Sequence, residues 1–173
     1  MIVQTSSGKL EKIVTLLKEK LHKENLQTLH GDVVVEIWDN TRTEITLADV
    51  KKSEADLFVN FNLSGFEKGT LTGGISYNLL NCKQIHILLD DKLPNERYLS
   101  KQLSIAMFFY CVGSEYYQSL ADRYPDIPYL KEINGWNSDN TDTGIAQNAG
   151  ILCDIVWEVA KICHIAAVQP CHS

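Results

Sequence analysis

The stretch LFVNFNLSGFEKGTLTGG, residues 57–74, changes character part-way along and decides how the rest of the chain is interpreted. The apolar run that begins at Leu57 has the composition of a buried strand. From Asn62 to Gly74 the chain is instead polar and rich in glycine. A buried strand that leads into such a loop is typical of an open parallel sheet, whose ligands bind where the loops leave the carboxyl ends of the strands.

Working outward from this stretch, predicted strands alternate with predicted helices. Apolar and β-branched runs predict strands near 33–38, 56–61, 84–89 and 105–111. Amphipathic patterns predict helices near 7–25, 46–54, 74–82, 95–103 and 114–124. The strand segments are apolar on both faces, which indicates a sheet covered on both sides. The predicted fold class is therefore α/β: a Rossmann-like parallel sheet with helices on both faces, in three layers α/β/α. Because right-handed crossovers leave few other arrangements, we expect the four strands to be neighbours.

Chain length and one polar segment predict the domain organisation. The 173 residues, 45% of them hydrophobic, can form one domain that buries roughly 70% of the surface of the unfolded chain. Residues 1–133 are predicted to form the Rossmann-like domain, and 134–142, rich in turn formers, to form a linker. An apolar face within 143–173 predicts a helix that either docks on the domain or leads to a missing partner domain.

Composition argues against several classes of function. A formal charge of −6 and a pI near 5.3 provide no cationic field for a phosphate backbone, so nucleic acid is not expected as a partner. No apolar run approaches the roughly 20 residues that cross a bilayer, and the amino terminus lacks a signal pattern, so we expect a cytoplasmic protein without a membrane span. The five cysteines are widely spread and mostly lie in apolar runs, so we expect them to be reduced.

The glycine-rich loop and the end of the next strand carry candidate ligand-binding residues. Gly73 and Gly74, at a predicted helix start, let the backbone approach a ligand and present free N–H groups. Alternatively, these glycines only form turns, since neither GxGxxG nor a P-loop motif is present. Asp90 and Asp91 follow strand 84–89, so they lie at the same edge of the sheet. They can accept hydrogen bonds from sugar hydroxyls, one can act as a general base, or the pair simply caps a turn.

Neither a metal site nor a cofactor is predicted. His164 and His172 lie beside Cys163 and Cys171, but adjacent pairs spaced in this way match no standard zinc pattern. His86 alternates with isoleucines in a strand, which indicates a hydrogen-bonded, half-buried imidazole. No nucleophile elbow is present.

Several short motifs follow one another between Asp56 and Trp136. In chain order they are Asn62, Gly65-Phe66, Gly73-Gly74-Ile75 with Asn78, Leu89-Asp90, Arg123-Tyr124-Pro125-Asp126-Ile127 and Gly135. This order resembles the amino-terminal Rossmann-like domain of GT-B glycosyltransferases, in the branch with bacterial protein-glycosylating and spore-maturation-type enzymes. The chain departs from the family pattern at Asp91-Lys92, where the family has His-Pro, and at Asn134, where the family has His.

The resemblance implies a function and a set of site residues. In GT-B enzymes the amino-terminal domain mostly holds the acceptor, and the carboxyl-terminal domain holds the nucleotide-sugar. The implied partners are a sugar or glycoprotein acceptor and a separate nucleotide-sugar-binding chain, so we expect no catalysis by this chain alone. The implied ligand-binding residues are Asn62, Ser64, Gly73, Gly74, Asn78 and Asn134, with Asp90 or Asp91 as the base for an acceptor hydroxyl. The alternative is a non-catalytic Rossmann-like module that binds a small polar molecule or stabilises a partner.

Overall fold

A computed structural model shows how the chain folds. The structure describes residues 1–5, 8–24, 27–28, 31–32, 34–39, 49, 52–63, 82–91, 93, 96–100 and 103–165. Its strands are β1 (Ile2–Thr5), β2 (Gln27–Thr28), β3 (Gly31–Asp32), β4 (Glu36–Asp39), β5 (Leu57–Phe61), β6 (Lys83–Leu88), β7 (Met107–Val112) and β8 (Leu130–Ile133). Its helices are α1 (Gly8–Lys23), α2 (Ser114–Arg123) and α3 (Asp142–Ile162), with a 3-10 helix at Glu96–Ser100.

Six of these strands form one parallel sheet. Their order is β4-β1-β5-β6-β7-β8, and every neighbouring pair is parallel. Strands β2 and β3 form a separate antiparallel pair. The predicted α/β, Rossmann-like fold in three layers is thereby confirmed. The strand order reverses at β1, because β4 lies on one side of it and all later strands lie on the other.

The prediction that the four strands are neighbours is wrong for one pair, because β1 separates β4 from β5. Strand β1 lies between β4 and β5, with Val3 paired to Ile37 on one side and to Val59 on the other. The apolar part of this strand is too short to distinguish it from the helix that follows, so the sequence did not predict it. Strands β5, β6 and β7 are consecutive neighbours, as expected.

The predicted helices have different outcomes. The segments near 7–25 and 114–124 are α1 and α2, whereas the segment near 95–103 contains a 3-10 helix, Glu96–Ser100. Residues 49, 52 and 53 of the segment near 46–54 are helical, but most of this segment and nearly all of the segment near 74–82 lie outside the described residues.

Alternate residues of the central strands supply two different cores. In β5, Leu57, Val59 and Phe61 face the core that α1 and α3 complete. Phe58 faces the opposite core, which contains residues of the 3-10 helix and α2. Both faces of a parallel strand must be covered in this way, because its side chains alternate and both sets are apolar.

Helix α3 packs on α1 and on the same face of the sheet. The Glu24 carboxylate, just after α1, accepts hydrogen bonds from Trp157 Nε1 at 2.6 Å and from Cys153 Sγ at 3.2 Å. Burial and this carboxylate raise the pKa of the Cys153 thiol to about 12, so it stays protonated and able to donate. Cys82, Cys111, Cys153 and Cys163 are unpaired, as expected, and Cys171 lies outside the described residues.

The segment 134–142 is bound closely to α3. The buried Asn148 side chain accepts from the backbone N–H of Asn137 at 2.8 Å and donates to its carbonyl at 2.6 Å. Thr141 caps the helix by accepting from the N–H of Gly144 at 3.1 Å. The segment also passes very close to the first turn of α3: a Cβ on Gly144 would lie 2.6 Å from the carbonyl oxygen of Asp139.

We expect Gly144→Ala to destabilise the protein by about 1–3 kcal/mol, because the new methyl group overlaps the backbone carbonyl of Asp139, two residues from the Asn137 backbone that Asn148 holds. Gly150→Ala is the matched control, since a Cβ at Gly150 meets no atom within 4 Å. This control should stabilise the protein by up to about 1 kcal/mol through helix propensity. Urea unfolding measures both, and equal effects of the two substitutions would contradict the close approach.

A group of buried polar side chains crosses the middle of the sheet. Asn60, Gln84 and His86 are all fully buried, and Asn60 pairs with His86 in the β5–β6 register. His86 Nε2 lies 3.0 Å from Gln84 Oε1, and the imidazole stacks on Phe109 with centroids 5.0 Å apart. Burial lowers the pKa of His86 to about 3, so the imidazole is neutral in the folded protein.

The lowered pKa of His86 predicts a pH dependence of stability. Because the unfolded histidine titrates near pH 6.5, the unfolded state binds one more proton between about pH 6.5 and 3. The free energy of unfolding therefore does not depend on His86 titration above pH 6.5. Below pH 6.5 it decreases, and at pH 5 the loss due to His86 is about 2 kcal/mol. Urea unfolding at pH 7.5 and pH 5 should show this extra loss in the wild type and not in His86→Gln. An equal loss in both proteins would contradict the prediction.

Candidate functional site

The carboxyl ends of the parallel strands meet at one edge of the sheet, which we call the carboxyl edge. Of the predicted site residues, Asn62 follows β5, Asp90 and Asp91 follow β6, and Asn134 follows β8. All four therefore lie at this edge. The predicted residues Ser64, Gly73, Gly74 and Asn78 lie outside the described residues.

The chain turns sharply as it leaves β5. Asn62 and Leu63 both have left-handed backbone conformations, with φ of 55° and 54°. Asparagine tolerates this conformation, whereas leucine rarely adopts it. The Leu63 side chain is fully buried in the core beside α2, and its burial offsets the cost of the unfavourable backbone.

The Asn62 side chain joins the ends of β5 and β6. Its Oδ1 accepts from the backbone N–H of Leu89 at 2.8 Å and from that of Asp90 at 3.4 Å. Its Nδ2 donates to Asp90 Oδ2 at 3.2 Å, and its own backbone N–H donates to the Ile87 carbonyl at 2.8 Å. Because only the oxygen of an amide can accept from a backbone N–H, these contacts fix which way the amide points.

This arrangement places a hydrogen-bond donor and a carboxylate side by side at the surface. Asp90 is exposed and Asn62 is half-buried. The amide nitrogen carries two hydrogens, of which Asp90 accepts one, and a carboxylate has about four acceptor positions. The pair can therefore donate to and accept from a polar ligand while the contact between the two residues is kept.

The other two described candidates are placed differently. Asp91 is exposed and directly follows Asp90 in the chain. Asn134 is also exposed, but it follows β8, two strands away from β6. At the usual spacing of strands this separation is about 10 Å. The structure thus brings Asn62 together with Asp90 and leaves Asn134 apart from them.

Sequence reasoning missed a cluster that anchors the chain after Asp91. The buried Glu96 carboxylate forms an ion pair with Arg123. It also accepts from the Tyr116 hydroxyl at 3.1 Å and from the Tyr124 hydroxyl at 3.2 Å. Burial, together with this carboxylate, raises the pKa of Tyr116, so the hydroxyl stays protonated. The partners are 20 or more positions apart in sequence, so no local pattern could have revealed them.

The described residues contain neither a metal-binding cluster nor a membrane-spanning helix. Among them, no three His, Cys, Asp or Glu side chains come together as a metal-binding group. No described helix combines the length and the apolar character that crossing a membrane requires.

Comparisons of the chain with protein-family models, with curated proteins and with solved structures found no match.

Substitutions of Asn62 should separate backbone strain from hydrogen bonding. We expect Asn62→Gly to lose the side-chain contacts at a cost of about 1–3 kcal/mol. Asn62→Ala should cost about 1 kcal/mol more, because alanine is strained at positive φ. Asn134→Ala, at the other exposed asparagine, should change stability by less than about 0.5 kcal/mol. Urea unfolding of the three variants provides the measurement, and an alanine variant as stable as the glycine variant would contradict the strained turn.

Proposed function

We propose that this chain is a glycosyltransferase-like, acceptor-side module that binds a sugar or a glycoprotein at its carboxyl edge and does not transfer sugar by itself. The observation that carries the proposal is the Asn62–Asp90 pair, which offers a donor and a carboxylate at the end of two neighbouring parallel strands. Ligands of open parallel sheets bind outside the carboxyl ends of the strands, and β5 is the neighbour of β1, where the strand order reverses.

The order of motifs along the chain supports the same proposal. The resemblance to the amino-terminal GT-B domain places an Asn at the end of one strand and Leu-Asp at the end of the next. The residues that match these two motifs, Asn62 and Leu89-Asp90, contact one another through three hydrogen bonds. In the proposed role, Asp90 accepts a hydrogen bond from an acceptor hydroxyl, and either Asp90 or Asp91 is the candidate base.

A second function is favoured by a different observation. The hydrogen bonds of Asn62 to Ile87, Leu89 and Asp90 also describe a structural clamp between β5 and β6. This structural role alone explains the hydrogen bonds of Asn62, and it is compatible with a non-catalytic Rossmann-like module that binds a small molecule or stabilises a partner. The two functions differ in whether Asp90 meets a sugar acceptor.

Thermal shift with a panel of methyl glycosides, glycopeptides and nucleotide-sugars tests the proposal. At a ligand concentration ten times its Kd, binding adds about 1.4 kcal/mol of stability, which raises the Tm by roughly 3–5 °C. We expect this shift with a glycoside or a glycopeptide, and we expect Asp90→Asn to reduce it to roughly a third at the same ligand concentration. Asp126→Asn is the control, because Asp126 is an exposed aspartate in the loop between α2 and β8, at the opposite edge of the sheet.

A sugar-transfer assay with the chain alone should give no product. Tight binding and turnover of a nucleotide-sugar by this chain alone would contradict the acceptor-side role. If no compound shifts the Tm and Asp90→Asn changes only the stability, the non-catalytic module is the better account.

A further inference from the structure

The ligand chemistry of the carboxyl edge follows from how its charges are arranged. In an α/β sheet the helices that follow strands begin at this edge, and their positive ends commonly bind phosphate. Here each described helix has its own acidic residue in the first turn: Glu11 in α1, Glu115 in α2 and Asp142 in α3. These carboxylates interact favourably with the helix dipoles, and the exposed Asp90 and Asp91 add further negative charge. These carboxylates place negative charge at the described part of this edge, which disfavours an anionic ligand beside them.

The Asn62–Asp90 pair suits a neutral ligand instead. Its donor nitrogen and acceptor oxygen are 3.2 Å apart, about one hydrogen-bond length. Two neighbouring hydroxyls of a sugar ring are separated by a similar distance. One hydroxyl can donate to the Asp90 carboxylate while the next accepts from the Asn62 amide. The backbone N–H groups of Leu89 and Asp90 hold the amide in the orientation that this requires.

We propose that Asn62 and Asp90 together recognise a vicinal diol, so that the ligand of this edge is an uncharged sugar and not a phosphorylated one. This inference rests on the proposed function. It adds the chemical class of the ligand and the two side-chain groups that bind it through hydrogen bonds.

Two-dimensional ¹H–¹⁵N NMR of the whole chain tests the inference at the site. The probes are the methyl glycosides of glucose, galactose, mannose and N-acetylglucosamine, their deoxy analogues that lack one hydroxyl of a neighbouring pair, and the phosphates of the same sugars. The Asn62 side-chain amide gives its own signals, which are assigned by their loss in Asn62→Asp. We expect at least one glycoside to shift these signals, a deoxy analogue to bind about tenfold more weakly, and the phosphates to bind more weakly than the glycosides.

Exchanging the two side chains provides the matched variants. Asn62→Asp and Asp90→Asn each leave two like groups facing one another, and each should weaken glycoside binding by about tenfold. The double variant again has one amide beside one carboxylate, and Asp at position 62 can still accept from the Leu89 N–H. We expect it to recover most of the lost affinity. Urea unfolding of each variant shows that it is folded, and Asp126→Asn again serves as the control.

The outcomes separate this inference from the proposed function. If glycosides bind but leave the Asn62 signals unmoved, bind equally well without a hydroxyl, or bind more weakly than sugar phosphates, the diol inference is overturned while sugar binding stands. If the double variant binds no better than the single ones, the pair does not act as a unit and the inference is also overturned. If no sugar shifts any signal, this inference is overturned, and the proposed function fails as well when the glycopeptides also leave the Tm unchanged.

Discussion

The burial of both faces of β5, β6 and β7 is the constraint on which the structure depends. The side chains of these parallel strands alternate, and both sets are buried, so each face needs a covering layer. One layer is the α1–α3 pair, locked by the contact of Glu24 with Trp157. The other contains α2 and the 3-10 helix, joined by the ion pair of Glu96 with Arg123. With both faces occupied, the exposed polar groups of the central strands are found where those strands end.

Asn62, at the end of β5, both shapes the backbone turn and provides polar groups. The chain must turn away from the sheet within two residues, and both take left-handed backbone conformations. Asparagine tolerates this conformation, and its amide offers a donor and an acceptor at once. The acceptor closes the end of β6, and the donor faces Asp90. The same side chain therefore stabilises the turn and presents the carboxylate.

Particular residues show how far the sequence predicts the structure. Apolar runs revealed β5, β6 and β7, because buried parallel strands show continuous hydrophobicity. The same rule missed β1, whose apolar part is short and leads almost directly into a helix, and the edge strand β8, which has charged Lys131 and Glu132 at its centre. Missing β1 led to the wrong neighbour for β4.

The contact of Asn62 with Asp90 was predictable in outline, since the carboxyl ends of neighbouring parallel strands meet at one edge. Its detailed geometry was not, because the left-handed turn depends on Leu63 finding a buried position across the fold.

Residues that conflict with their local environment are expected to concentrate at functional sites. Two conflicts occur here: the left-handed pair at the end of β5, and the buried polar group of Asn60, Gln84 and His86. Both fall on β5 and β6, and Asn60 lies two residues before Asn62 on the same strand. That coincidence supports the proposal that the ligand site lies between β5 and β6 and not at the end of β8.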